Sequence, residues 1–250
     1  MLQFFKKIRR QSLQKSSFQK YLLYALGEII LVVLGILIAL QINNWNENRK
    51  TDEKREELLL ALLSDAQTTE KRLTHSIEIS KSINNDLLYF LNLISNEELT
   101  VPIDTIKAYT SIVFQVANFK PALSTYETSL STGDIGLIKN NELLDTYIQF
   151  KNNYEWFELH QNISGDMVYL GSVWEFRKKI GSTRMFMKDM GTYPTKFTLS
   201  DEDFYQMLRE KETFATFESM QWLLRNQYES LLRADDANKK ILDILGKTME

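Results

Sequence analysis

The stretch YLLYALGEIILVVLGILIAL, residues 21–40, decides how the chain begins to fold. Apart from Glu28 it carries no charge, and about 20 residues at a rise of about 1.5 Å each match the roughly 30 Å hydrocarbon core of a bilayer. Tyr24 lies near one end and Trp45 just beyond the other, where interfacial aromatic residues are typical. The pattern predicts a transmembrane helix over residues 21–42.

The residues before this stretch predict its orientation. They contain no acidic residue and six basic ones, namely Lys6, Lys7, Arg9, Arg10, Lys15 and Lys20. Because segments rich in Lys and Arg stay in the cytoplasm, residues 1–20 are predicted to be a cytoplasmic tail and residues 43–250 to lie across the membrane. A cleaved signal peptide, the competing interpretation, has a shorter apolar run and small residues before the cut. The ending Ala39-Leu40-Gln41-Ile42 favours an uncleaved signal anchor instead.

Glu28 needs an explanation, because an acidic residue at the centre of a membrane helix costs about 3 kcal/mol on insertion scales. At about 100° per residue, Tyr24, Gly35 and Ala39 lie within about 40° of Glu28. The opposite side carries bulky aliphatic residues: Leu23, Leu26, Ile30, Val33, Leu34 and Leu37. Small residues let helices approach closely. We therefore predict a helix-packing face made of Tyr24, Glu28, Gly35 and Ala39. Two alternatives stay open: snorkelling of Glu28 to the nearer interface, and coupling of Glu28 to protons or ions.

The composition bounds the rest of the chain. Of 250 residues, 44% are hydrophobic, enough for an anchor and one sizeable domain, while only 9 Gly and 3 Pro argue against a β-sandwich or barrel. Beyond residue 20, 24 basic and 33 acidic residues give a net charge of −9, so nucleic acid is not an expected partner. The absence of Cys excludes a disulfide framework and a thiolate metal site.

A long helix is predicted to follow the anchor. NNWNENRKTDEKREE is either helical or contains a short hinge near Asn43 and Asn44. Apolar residues then follow a coiled-coil-like 4-3 spacing, at Leu59, Leu63, Ala66, Leu73, Ile77, Leu87, Leu91 and Ile94. The same register also contains Glu70, Ser80 and Asn84, which is too polar for an uninterrupted coiled coil. We therefore predict an amphipathic helix in a bundle, with a kink between Ser80 and Asn85.

Shorter helices are predicted from capping signals. Asp104 or Thr105 caps IKAYTSIVFQVANF, and Gly133 closes a helix that follows Ser124. Asn140 or Asn141 caps the next helix, which Gly165 and Gly171 interrupt. Ser200 and Asp203 form a capping box.

Two apolar patterns mark the core of these helices, and one segment has no regular pattern. Aromatic residues recur at core spacing at Tyr147, Phe150, Tyr154 and Phe157. The final helices carry Phe214, Phe217, Met220, Leu224, Tyr228, Leu231, Leu232, Ile241 and Leu245. Residues 181–198 are the least regular part of the chain.

Two strings carry a resemblance to a known family. YLLYALGEIILVVLGILIALQINNWNENRK and YETSLSTGDIGLIKNNELLDTYIQF resemble domain of unknown function family 6090, membrane-anchored proteins of Bacteroidota. The resemblance implies an inner (cytoplasmic) membrane location in a Gram-negative cell, with a periplasmic C-terminal body. It implies no activity, cofactor or catalytic residue. The expected fold is all-α: a single N-terminal transmembrane helix that continues into a long helix and an irregular periplasmic helical bundle.

The residues that carry chemistry are sparse. Of the two histidines, His75 is expected in solvent and His160 is expected to face Glu155 or Glu158. No H-E-x-x-H motif, glycine-rich phosphate loop or G-x-S-x-G elbow occurs in the chain. We therefore expect no catalytic residue, cofactor or metal site, and a protein that is not an enzyme.

These patterns favour an interaction or scaffold protein that associates through its transmembrane helix and its helical body. The expected partners are the lipid bilayer and either the protein itself or another inner-membrane or periplasmic protein. The alternative is a single-span subunit of an ion-coupled inner-membrane complex that uses Glu28. A ligand sensor is a third interpretation, but residues 1–20 are too short for an output domain.

Overall fold

A computed structural model of the chain describes residues 17–96, 98–181, 197 and 199–249. Their helices are α1 (Ser17–Ser95), α2 (Ile103–Thr110), α3 (Ser124–Thr132), α4 (Asn141–Tyr169), α5 (Ser172–Ile180), α6 (Asp201–Leu208) and α7 (Lys211–Met249). Short 3-10 turns cover Ser111–Phe114 and Asp134–Leu137. The all-α prediction is confirmed, with no β-strand among the described residues. Most of the irregular segment 181–198, and the predicted tail up to residue 16, lie outside those residues.

The described residues divide into two compact units, with the boundary between Glu57 and Leu58. In the first unit, α1 is helical through Asn43 and Asn44. Of the two interpretations of this stretch, a helix or a short hinge, the helix is confirmed. Local side-chain contacts support the helix after the apolar run. Arg49 approaches Glu53 at 3.9 Å, and Lys50 approaches Glu47 at 3.6 Å. Such pairs, three or four residues apart, stabilise an exposed helix by a few tenths of a kcal/mol each, about 0.2–0.5.

In the second unit, α1 buries one continuous seam with alternating spacings of three and four residues: Leu59, Leu62, Ala66, Thr69, Leu73, Ser76, Ser80, Ile83, Leu87, Phe90 and Ile94. Of the eight apolar positions predicted on α1, six are buried, Leu91 among them although it lies beside the seam. Leu63 and Ile77 are only half-buried, and their places are taken by Leu62 and Ser76. The helix also continues without interruption from Ser80 to Asn85.

Polar contacts to the segment before α3 explain the shifted register. Thr69 Oγ1 accepts from the backbone N–H of Ala122 at 2.9 Å, and the Ser76 hydroxyl donates to Asn118 O at 3.2 Å. Thr69 and Ser76 are buried because they satisfy this irregular backbone, and a purely apolar pattern leaves them out. The helix predicted to run to Phe119 is shorter than expected. α2 ends at Thr110, and the backbone near Asn118 and Ala122 bonds to α1 instead of continuing the helix.

The three long helices of the second unit run in defined directions. Asn238 Nδ2 donates to Ala66 O at 3.0 Å, and Asn84 Nδ2 donates to Leu224 O at 2.9 Å. α1 and α7 are therefore antiparallel. Asn153 Nδ2 donates to Arg233 O at 3.3 Å, while Gln227 lies against His160, so α4 is also antiparallel to α7.

Several capping predictions are confirmed. Asn140 Oδ1 accepts from the Leu143 N–H at 3.0 Å, and Ser200 Oγ accepts from the Asp203 N–H at 3.1 Å. Gly133 closes α3 with a left-handed φ of 80°.

Two local predictions are wrong. Neither Asp104 nor Thr105 caps α2, since Pro102 occupies the cap position without a side-chain bond. The interruption predicted at Gly165 is wrong, since α4 runs through it to Tyr169; a glycine inside a packed helix costs only about 1 kcal/mol relative to alanine. The interruption predicted at Gly171 is confirmed, because α4 ends before it and α5 begins after it.

Candidate interaction face and buried polar layer

The apolar part of α1 is the only stretch of the described residues that is long and apolar enough to cross a membrane. None of its most apolar 18-residue window is buried. This segment is therefore unlike a core helix of a soluble domain, which would be covered by its neighbours. The predicted packing residues Tyr24, Glu28, Gly35 and Ala39 are all exposed on it. A Cβ added at Gly35 meets no other atom within 4 Å. The packing face stays a prediction, since no other described residue covers it.

Glu28 also lines a shallow groove on α1, together with Ala25, Ile29, Val32 and Val33. These residues are spaced three and four apart, the spacing of the grooves into which a neighbouring helix inserts its ridge of side chains. Ala25 and Ile29 are assigned to neither side of the helix by the sequence pattern, and Val33 is assigned to the bulky side opposite Glu28, whereas it lines this groove. The signal that finds them is this spacing, with Ala25 as the small residue on that side of Glu28.

The second unit holds two apolar clusters. Cluster A joins buried residues of α1 (59–73), α4 (143–157) and α7 (231–245), and it includes the aromatic residues Tyr147, Phe150 and Phe157. Cluster B joins residues of α1 (83–94) and α7 (217–224) with Val168 and buried residues of the shorter helices. Tyr154 packs against cluster A and is only partly buried. The aromatic spacing on α4 therefore marks a core, as predicted.

A buried polar layer separates the two clusters on all three long helices. It consists of Ser76 and Ser80 on α1, His160 and Ser164 on α4, and Gln227 and Ser230 on α7. Each of these residues is buried, at 7% exposure or less. Buried polar groups are stable when they are hydrogen-bonded, so the partners of this layer decide its role.

Gln227 is the centre of the layer. Its Nε2 donates to the Ser164 hydroxyl oxygen at 2.8 Å and to His160 O at 3.1 Å. Gln227 Oε1 and the Ser80 hydroxyl are buried without a partner among the described residues. The layer is therefore partly satisfied: the Gln227 amide N–H group is paired, but the Gln227 amide oxygen and the Ser80 hydroxyl are not paired within the described part of the chain. Sequence analysis missed it, because single Ser and Gln residues on helices are indistinguishable from surface residues until the helices are paired.

His160 lies between two tryptophans instead of facing Glu155 or Glu158. Its ring centroid is 5.7 Å from that of Trp156 and 5.6 Å from that of Trp222. Its Nδ1 lies 2.7 Å from Trp156 O, and because a carbonyl only accepts, Nδ1 carries the proton. The other histidine, His75, is exposed as predicted. No cluster of three or more potential metal-ligating side chains occurs within the part of the chain that the structure describes.

The tyrosines of α4 have altered acid–base properties. Burial raises the pKa of Tyr147, whose ring stacks on Tyr126 at 4.6 Å. Burial, and then the charge of Glu158, raise the pKa of Tyr154 to about 12. The Tyr154 hydroxyl donates to Glu158 Oε1 at 3.2 Å. These tyrosines stay protonated at neutral pH and act as apolar or hydrogen-bonding groups.

Comparison with known families agrees with the resemblance seen in the sequence. Residues 28–207 match the family of unknown function DUF6090. The chain belongs to this family. The match begins at Glu28 in the apolar part of α1 and ends in α6. The DUF6090 region therefore includes the groove residues except Ala25, and the polar-layer residues of α1 and α4 but not Gln227 and Ser230 of α7. No curated protein and no solved structure matches the chain.

Proposed function

We propose that this DUF6090 protein is a membrane-anchored scaffold without catalytic chemistry. Its first helix is a signal anchor that crosses the inner membrane once over residues 21–42, with residues 1–20 in the cytoplasm and residues 43–250 in the periplasm. It associates through the α1 face around Glu28 and through its helical body, in part by coiled-coil-type helix pairing. The partner is a second copy or another inner-membrane or periplasmic protein, and nucleic acid is not one.

The observation that supports this proposal is an acidic side chain exposed on an otherwise apolar, uncovered helix. Facing lipid, Glu28 costs about 2.5–3.5 kcal/mol on insertion scales. A neighbouring helix lowers this cost, because it supplies a hydrogen-bond donor and excludes acyl chains. Gly35 and Ala39 on the same side permit the close approach that such a bond requires.

Cysteine crosslinking in membranes tests the face. Since the chain has no native Cys, the variants Gly35→Cys and Leu37→Cys each introduce a unique thiol. The proposal predicts a crosslinked product, with itself or with a partner, that forms several times faster from Gly35→Cys. Leu37 lies on the opposite side of the helix and serves as the control. Equal yields from the two positions would contradict the proposed packing face.

A second experiment tests the orientation. The variant Ser131→Cys places one thiol at an exposed position of the body. Its reaction with a membrane-impermeant maleimide is measured in intact spheroplasts and again after lysis. Labelling without permeabilisation supports the periplasmic location. Labelling only after lysis reverses the topology, and with it the identity of the available partners.

The alternative function is a single-span subunit of an ion-coupled complex, and the exposure of Glu28 in the apolar stretch favours it. Glu28→Gln separates the two functions. An amide retains hydrogen bonding, so scaffold assembly measured by the Gly35→Cys crosslink should fall less than about threefold, equivalent to about 0.7 kcal/mol. An amide cannot carry a proton, so an ion-coupled complex would lose its activity entirely in a growth or transport assay.

A further inference from the structure

An apolar stripe lies on the solvent side of α4. Ile148, Trp156, Leu159 and Ile163 are 50%, 57%, 48% and 42% exposed. At about 100° per residue they fall within about 80° of one another, so they form one face. Trp156, Leu159 and Ile163 follow one another at spacings of three and four, and Ile148 lies about two turns before them, beyond Asn152. Single exposed apolar residues are ordinary, but several large ones along one side of a helix mark an interaction surface.

Trp222 of α7, 58% exposed, extends this stripe across the helix pair. It contacts the His160 ring, which also contacts Trp156, so the two tryptophans flank one buried side chain. The bond from His160 Nδ1 to Trp156 O holds that ring in place. Both indoles are therefore positioned before a partner arrives, which lowers the entropy cost of binding through them.

Carboxylates border the stripe. Asp145 and Asp166 lie near its two ends on α4, and Glu218 lies one turn from Trp222 on α7. None of the three forms an ion pair with a residue that the structure describes. The single lysine of α4, Lys151, is paired with Glu155 at 3.9 Å. The rim therefore has unbalanced negative charge.

We propose that this stripe binds an amphipathic helix of another protein, whose apolar side is bordered by Lys or Arg. The inference rests on the proposed function, since it names the surface of the body through which the scaffold holds a partner. Apolar area and tryptophan anchors supply affinity, and the unpaired carboxylates select a basic rim. A second copy docking through the same stripe would bring acidic rims together, and an anionic membrane surface would be repelled by them.

Fluorescence anisotropy with two labelled synthetic helices tests the proposal. Both helices carry the same amphipathic leucine pattern, with lysine at every polar position in one and glutamate in the other. They are titrated with the full-length protein in phosphatidylcholine nanodiscs, and empty nanodiscs give the background. We expect the lysine helix to bind at least tenfold more tightly than the glutamate helix, with weaker binding at higher salt.

Paired variants locate the binding. Leu159→Ser with Ile163→Ser should weaken binding of the lysine helix at least tenfold, while Leu60→Ser with Leu88→Ser removes equally exposed leucines elsewhere and should not. Asp145→Asn with Asp166→Asn should weaken the lysine helix severalfold and flatten its salt dependence. Circular dichroism confirms that each variant is folded.

Several results would overturn the proposal. These are equal binding of both helices, no binding, or unchanged binding by the Leu159→Ser, Ile163→Ser variant. Self-association lost in that variant would make the occupant a second copy instead. A tryptophan emission shift with anionic lipid, lost in the same variant, would make it the membrane. If the Gly35→Cys crosslink persists while peptide binding fails, the docking surface fails and the proposed scaffold does not.

Discussion

The side chain of Gln227 on α7 donates to the hydroxyl of Ser164 on α4 at 2.8 Å, in the layer between the two apolar clusters. The donor is fully buried, so its replacement tests how the layer contributes to stability. Gln227→Ala removes two hydrogen bonds and leaves a cavity, and we expect it to reduce the free energy of unfolding by about 2–3 kcal/mol. Denaturant unfolding followed by circular dichroism measures this change.

Gln227→Leu separates the hydrogen bonds from the volume. The Ser164 hydroxyl also donates to Gln161 O at 3.0 Å, so it keeps a partner when Gln227 is replaced. The leucine removes the unpaired Oε1 and fills the space, so it should cost about 1 kcal/mol or less. Gln206→Ala, at an exposed site on α6, is the control and should have almost no effect. A leucine variant as unstable as the alanine variant would show that the polar layer is needed for stability.

Tyr147 offers the opposite case, a buried hydroxyl without a partner among the described residues. Tyr147→Phe keeps the ring stacked on Tyr126 and removes a desolvated polar group. We expect unfolding free energy to stay unchanged or rise by up to about 1 kcal/mol. Tyr205→Phe is the matched control, because the Tyr205 hydroxyl donates to Asn96 O at 3.2 Å. It should destabilise the protein by about 1 kcal/mol, and a larger loss at Tyr147 would contradict the account of that site.

What the sequence predicts well is local. The run from Tyr21 to Leu40 is apolar apart from Glu28. The caps at Asn140 and Ser200 follow from side chains that bond to backbone three residues away. Gly133 ends α3 because its φ of 80° is one that glycine adopts without strain. These features depend on neighbours in the chain, so no tertiary information is needed.

What the sequence misses depends on distant contacts. Thr69 and Ser76 enter the buried seam because they bond to backbone more than 40 residues away, at Ala122 and Asn118. Gln227 becomes a core residue only when α7 lies against α4, 63 residues earlier at Ser164. A polar residue in a helical sequence pattern does not show whether it will be buried by a distant helix. The packing face at Glu28 stays a prediction, since none of the described residues covers it.

Alkaline pH should destabilise the body through Tyr154. Its pKa is raised to about 12 in the folded protein, above the ordinary value of 10.0, by burial and then by Glu158. The unfolded chain therefore loses this proton first. Stability is fully present below pH 10.0 and falls as pH rises towards 12. Denaturant unfolding at several pH values measures the slope.

Two variants test whether Tyr154 causes this fall of the unfolding free energy with pH. Tyr154→Phe should flatten it, because phenylalanine has no proton to lose. Glu158→Gln should reduce it only in part, because burial is the larger cause and remains. Buried Tyr147 shifts in the same direction and supplies a residual slope in both variants. An unchanged slope in Tyr154→Phe would show that other groups control alkaline unfolding.

Gly133 and Gly136 provide a test of backbone conformation free of packing effects. A Cβ at either position meets no atom within 4 Å, but only Gly133 has a left-handed φ, at 80°. Gly133→Ala therefore introduces backbone strain without a steric clash and should cost about 1–2 kcal/mol. Gly136→Ala, in the 3-10 turn Asp134–Leu137, should change the free energy of unfolding by less than about 0.5 kcal/mol. Equal losses at both sites would mean that the connector between α3 and α4 resists any side chain, for a reason other than the sign of φ.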